Sequence, residues 1–161
     1  MTPFHSRIEK AYSLFVQAAA SLRSVFLLAV RLYWGWQLSQ TGWGKLHRLP
    51  QVVEFFGSLG IPAPWLNAHF VTGLELVGGI LLALGLAARL IAVPLTIDMI
   101  MAYITADREA LMSIFSNPGK FYNADPFTFL MASLIVLIFG AGAFSLDHLL
   151  EHGWRKRVID A

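Results

Sequence analysis

Arg31, Glu75 and Asp98 are ionisable side chains set inside long runs of apolar residues. A charge at the centre of a bilayer costs about 2.5–3.5 kcal/mol on insertion scales, so each needs a partner or a water-filled cavity. With a helical rise of ~1.5 Å per residue, Arg31 lies roughly 10 Å from one membrane edge, Asp98 about 14 Å and Glu75 about 16 Å. An arginine side chain spans such differences, and the expectation is a cluster in which Arg31 meets both carboxylates between helices. One cation cannot neutralise two acids. Desolvation and like-charge repulsion then leave one carboxyl holding a proton near neutral pH, with Glu75, nearer mid-membrane, as the candidate. Arg31, Glu75 and Asp98 are accordingly the candidate catalytic residues, with a carboxyl that exchanges a proton and a guanidinium that stabilises developing negative charge. The competing reading is a structural ion-pair cluster that fixes helix registry.

Small and polar residues surround these positions. Tyr33, Trp34, Gly35, Gln37, Gly78 and Gly79 are the candidate cofactor-binding residues, although the paired glycines better suit close helix approach. His69 stands alone near one flank, and His5, His47, His148 and His152 are scattered, so no protein-bound metal is expected. The chain has no cysteine, which removes disulfides, thiol chemistry and thiolate ligation. A redox role would rest on a bound organic cofactor or a partner protein.

The elements that must carry these residues follow from composition. Of 161 residues, 57% are apolar and 14% charged, and the mean hydropathy is +0.61; a soluble domain is about a quarter charged. Four apolar windows, at about Ser24–Gly44, Leu66–Leu86, Arg89–Thr105 and Pro126–Leu146, each approach the ~20 residues that a membrane-spanning helix needs. The runs are too long for strands and lack their alternation. The expected fold is an all-α membrane protein, a four-transmembrane-helix bundle with an interfacial amphipathic segment in its first outer loop. Residues 1–23 form an N-terminal segment, 24–150 the transmembrane domain and 151–161 a basic tail.

Gly85-Leu86-Ala87-Ala88-Arg89 forces a tight hairpin between the second and third windows, and Pro94 should kink the third. Arg7, Lys10, Arg23, Arg89, Arg155, Lys156 and Arg157 gather on one side, against Lys45, Arg48, Arg108 and Lys120 on the other. That asymmetry predicts cytoplasmic termini. The net charge of +2 belongs to basic loops, which excludes nucleic acid as the natural partner. Residues Met1–Gln17 carry no small-residue cleavage site, so no removable signal peptide is expected. The outer loop Pro50–Leu59 has an apolar stripe of Val52, Phe55, Phe56 and Leu59 suited to a lipid surface, and residues 106–125 read as a cap or a lid over the bundle.

Three stretches resemble the DoxX family of bacterial membrane proteins. Arg31-Leu32-Tyr33-Trp34-Gly35 followed by Thr41-Gly42-Trp43-Gly44-Lys45-Leu46 is similar to its first helix, and Glu75-Leu76-Val77-Gly78-Gly79 with Leu84-Gly85-Leu86 resembles its second helix and hairpin. Gly140-Ala141-Gly142-Ala143-Phe144-Ser145-Leu146-Asp147 is similar to its closing motif, with Ala141 where relatives commonly carry proline and Ala143 where they carry a basic residue. The resemblance covers about residues 24–150 and implies a four-helix bundle in the bacterial inner membrane. It also implies association with thiosulfate:quinone oxidoreduction or quinol oxidation, or an accessory role beside redox or metal-handling systems.

Three functions follow as expectations. The first is a quinone-linked redox subunit, with a quinone head group near Arg31, Glu75 and Asp98 and Tyr33, Trp34 and Trp36 flanking the ring. Its electrons would come from a redox partner, and whether the chain is itself an enzyme stays open. The second is a non-enzymatic scaffold or assembly factor whose charges are only glue. The third is a small-molecule transporter, disfavoured because the chain has no inverted repeat and one proline-broken span. Besides the lipid bilayer, a redox or accessory protein and a second copy of the chain are the candidate partners.

Overall fold

The computed structural model describes the backbone of residues 3–159, and the side chains of residues 9–152 except Ala11. The side chains of Arg7, Arg155, Lys156 and Arg157, counted above toward one membrane face, lie outside the described residues. Among those described the chain is wholly helical, with eight helices: α1 (Pro3–His47), α2 (Leu49–Ser58), α3 (Pro64–Leu84), α4 (Ala88–Thr105), α5 (Arg108–Met112), α6 (Pro118–Tyr122), α7 (Pro126–Phe139) and α8 (Leu146–Ile159). Proline stands in the first positions of α2, α3, α6 and α7, where its missing N–H costs nothing and its fixed φ favours the helix.

Three helices are long and apolar enough to cross a membrane, over Tyr12–His47, Pro64–Leu84 and Ala88–Thr105. The fourth window departs from expectation. It is helical only over the 14 residues of α7, roughly 21 Å against ~30 Å of hydrocarbon. Gly140 and Gly142 take φ values of 80° and 78°, open to glycine but not to most other residues, and break the run there. The first window departs in the other direction: α1 is 45 residues long, because no glycine or proline interrupts Phe4–Trp34.

The α7 break exposes carbonyls, and three arginines answer it. Arg23 donates to Phe139 O at 2.8 Å, Arg89 to Ile138 O at 3.3 Å and Arg31 to Phe144 O at 2.5 Å. Cations at a helix C-terminus also complement its dipole. The α3–α4 hairpin meets the same region. Gly85 closes α3 in a left-handed conformation, with Gly85 N–H on Leu82 O and Leu86 N–H on Leu81 O, the paired bonds of a Schellman turn. Asp147 then caps α4, accepting from Ala87 N–H at 2.7 Å and Ala88 N–H at 2.9 Å.

The most extensive packing joins α1 to α3, antiparallel, along a seam of small residues. A Cβ on Gly42 would come within 2.4 Å of Leu76 N, one on Gly35 within 2.7 Å of Ala83 N, and one on Gly79 within 2.6 Å of Ser39 N. Gly78 faces the other way, onto Ile91 and Leu95 of α4. Between α4 and α7 the Thr96 and Ser133 hydroxyls are hydrogen-bonded at 3.0 Å among Leu95, Met99, Leu130 and Val136. In apolar surroundings such close backbone approach and interhelical hydrogen bonding replace the hydrophobic effect as the source of association.

The segment between α4 and α7 is part cap. Tyr103 donates to Phe121 O at 2.7 Å and stacks on its ring at 4.9 Å, and Lys120 of α6 pairs with Glu109 of α5. Phe115 and Met112 remain exposed. The α1–α3 seam makes a direct prediction. Gly42→Ala forces backbone apart and lowers stability by about 1–3 kcal/mol, whereas Gly44→Ala, with nothing within 4 Å of its Cβ, does not. Thermal unfolding in mild detergent reads both.

Candidate functional site

The α1–α3 register decides which charges meet. With Gly42 seated on Leu76, the next turn of α1 brings Lys45 beside Glu75, and the ammonium donates to Glu75 Oε1 at 2.5 Å. Glu75 is 4% exposed, and among the described residues Lys45 is the one cation bonded to it. Asp98, one turn beyond Pro94 on α4, shares the same floor within electrostatic reach of both. One ammonium faces two carboxyl groups. Glu75 Oε2, Asp98 Oδ2 and Thr72 Oγ1 are buried without a hydrogen-bond partner. Unsatisfied acceptors in a low-dielectric region are costly, and they are the groups that a donor-bearing ligand or water would meet.

Lys45, Glu75 and Asp98, though not Thr72, line a cavity of about 1380 Å³ and form its floor. In contact at Gly78, α3 and α4 both line the cavity, α3 through Phe70 and Leu74 and α4 through Ile97 and Met101. The α2 helix contributes Val52, Phe55 and Phe56, and α7 contributes Phe129. Arg48, Asp107, Asn123 and Asp125 line it beyond the spanning helices. Burial raises the Asp107 carboxyl above its ordinary range, and the neighbouring Asp125 charge adds to the rise.

Arg31 is elsewhere. It is fully buried, yet it does not join the two carboxylates as expected. Its guanidinium turns toward the hairpin end, onto Phe144 O, with Ala83 O at the outer limit of 3.5 Å. A Cβ on Gly85 would fall 1.8 Å from its Nη1, so the hairpin glycine is packed directly against it. Glu75 and Asp98 are thus brought together, and Arg31 is separated from both.

None of Tyr33, Trp34, Gly35, Gln37, Gly78 and Gly79 lines the cavity. Tyr33 is exposed on the outside of α1, Trp34 packs edge-on against Phe129 at 6.0 Å, and the three glycines serve helix contacts. Sequence reasoning missed Lys45 as the partner of Glu75, assigning it to an outer-loop charge count. Its position as the last cation of α1 was the available signal, but only the seam register reveals which carboxylate it faces. His69 bonds Trp65 O through Nδ1 within its own helix, and the described residues hold no group of three potential metal ligands.

A cysteine-free helical chain with three spanning-length helices and a part-buried Lys–Glu pair is a membrane protein. Residues 26–108, a stretch that includes Arg31, Lys45, Glu75 and Asp98, match the model of DoxX, and the chain belongs to the DoxX family. It is 28% identical over 120 residues to a Bacillus subtilis protein named "Putative oxidoreductase CatD", covering 74% of this chain and 83% of that one. It is 34% identical over 107 residues to the Mycobacterium tuberculosis "Uncharacterized membrane protein Rv3486", covering 60% and 63%. An uncharacterized Haemophilus influenzae protein is 26% identical over 136 residues, covering 79% and 84%. No solved structure matches the chain.

The Lys45–Glu75 pair gives a test. Lys45→Met strands a buried carboxylate, a change that costs about 3–5 kcal/mol in a fully buried pair; because Lys45 keeps 34% of its side-chain exposure, about 1–3 kcal/mol is expected. Lys45→Met combined with Glu75→Gln removes the stranded charge and recovers much of the loss, as read by thermal unfolding of the four proteins of the cycle.

Proposed function

We propose that this DoxX-family protein is the membrane subunit of a quinone-linked redox system, with the α2–α3–α4 cavity as its quinone site. The observation that carries the reading is the joining of an apolar cavity to a floor of one ammonium and two carboxyl groups. The residues fit such a ligand. Phe55, Phe70, Ile97, Met101 and Phe129 offer apolar surface to a ring and a prenyl chain, while Lys45 supplies donors. Glu75 Oε2 and Asp98 Oδ2 are acceptors awaiting a donor.

A bound quinone would supply two-electron, two-proton chemistry. The chain's own residues act around it. Lys45 orients an oxygen by donating to it and holds Glu75 in place. Asp98, without a bonded counter-ion, is the group that holds or releases a proton at Oδ2. The apolar walls of α2 and α4 exclude water. Arg31 serves the fold in this reading. The electrons come from a partner redox protein or a soluble donor.

The reading includes four membrane crossings, with α7 and the segment after it as the fourth, in a bacterial inner membrane with both termini in the cytoplasm. The name of the Bacillus subtilis relative is consistent with an oxidoreductase association. A second reading, a non-enzymatic scaffold or assembly factor, is favoured by one observation: Arg31 bonds backbone carbonyls and Lys45 bonds Glu75, so two of the buried charges have structural partners.

Mass spectrometry of lipid-soluble molecules retained in mild detergent separates the readings. A quinone near one per chain is expected in the wild type, reduced at least tenfold in Asp98→Asn at equal yield and thermal stability. No quinone in either sample removes the redox reading for the isolated chain and leaves the scaffold.

A further inference from the structure

In the N-terminal part of α1 every described side chain from residue 9 to residue 23 is exposed. The apolar bundle ends at the level of the α3–α4 hairpin, where Arg31 packs against Gly85 and Arg23 reaches Phe139 O. The twenty residues Pro3–Leu22 continue past this level for roughly 30 Å. Here Tyr12, Leu14, Phe15, Val16 and Leu22 are exposed.

Their spacing is ordered. Tyr12, Phe15, Ala19, Leu22, Phe26, Ala29, Tyr33 and Trp36 recur at alternating intervals of three and four, the a/d repeat of a coiled coil, over more than three heptads. Every one of these positions is exposed. From Tyr12 to Trp36 the strongly polar residues Ser13, Gln17, Ser21, Arg23, Ser24 and Arg31 all fall off this stripe. Inside the bundle the stripe runs along the side of α1 turned away from Leu27, Arg31, Gly35, Leu38 and Gly42, which are buried against the other helices. Phe4–Trp34 contains neither glycine nor proline, so the projecting part has no hinge by which to lie down on a membrane surface.

We infer that this stripe is a parallel, two-fold coiled-coil interface with α1 of a second copy of the chain, beginning outside the membrane and continuing into it. Two copies inserted in the same sense place identical stripes face to face, which is the self-complementarity that a two-fold interface demands. The six large residues of the stripe are 55–68% exposed. At about 150–250 Å² for a fully buried aromatic, they offer on the order of 600 Å² per protomer, close to the ~800 Å² per partner of a standard interface. The 3.5-residue period would wind the pair into a left-handed supercoil.

The absence of cysteine permits a direct test in native membranes. Phe15→Cys and Leu22→Cys, at d positions, are expected to oxidise to disulfide-linked dimers at least tenfold faster than Gln17→Cys at the outward f position. Equal rates, no dimer, or a cross-link to a different protein overturns the inference. Native mass spectrometry of the full chain gives a second readout. The wild type is expected as a dimer, and Phe15→Glu combined with Leu22→Glu as a monomer with unchanged thermal unfolding of the bundle. A monomeric wild type, or a dimer that survives the double substitution, overturns it.

Discussion

The α7 helix stops after 14 residues and leaves its last carbonyls without helical partners, and the chain's answer to this constraint organises the rest of its architecture. After Phe139 the backbone leaves the helix through Gly140, and three guanidinium groups from two other helices take over. Arg23 and Arg31 come from α1 and Arg89 from α4, bonding the carbonyls of Phe139, Phe144 and Ile138. A helix end is stable where protein groups satisfy its last carbonyls. The same corner holds the α3–α4 hairpin, because Gly85 packs on Arg31 and Asp147 caps the start of α4. Chain segments far apart in sequence are therefore tied at one end of the bundle by charge-assisted hydrogen bonds.

That commitment has a consequence at the other end. With Arg31 bound to carbonyls, the two carboxyl groups of α3 and α4 lack it as a counter-ion, and Lys45 meets Glu75 instead. The small-residue seam between α1 and α3 makes the meeting possible, since Gly35, Ser39 and Gly42 let the backbones approach closely enough to fix their antiparallel register. The bundle is tight where arginines cap and glycines mesh. It is open where α2 and the outer halves of α3 and α4 surround the cavity. Asp98 and the unbonded oxygen of Glu75 lie at the boundary between the two regimes.

Much of this was legible in the residues. Membership of the DoxX family could be read from Arg31 through Lys45, the Glu75-x-x-Gly78-Gly79 segment and the closing Ser145-Leu146-Asp147, and the model match over residues 26–108 agrees. The helical class, the spanning lengths of α3 and α4 and the hairpin at Gly85 follow from hydropathy and glycine placement, which are local properties. The interruption of the fourth window at Gly140 was harder to read, because glycine is also tolerated inside membrane helices and only the arginines facing the freed carbonyls make a break affordable.

The sequence by itself determined that buried charges exist and that Glu75 and Asp98 are close enough in depth to share a site. Only the tertiary structure decided their partners. Pairing is a matter of helix register and side-chain direction, and both are fixed by contacts such as Gly42 on Leu76, between residues far apart along the chain. A depth count treats every side chain as free to reach any neighbour at its level. In the folded bundle Arg31 has Gly85 against its guanidinium and a carbonyl in its grasp, and it is Lys45, one turn beyond the seam, that faces the acids.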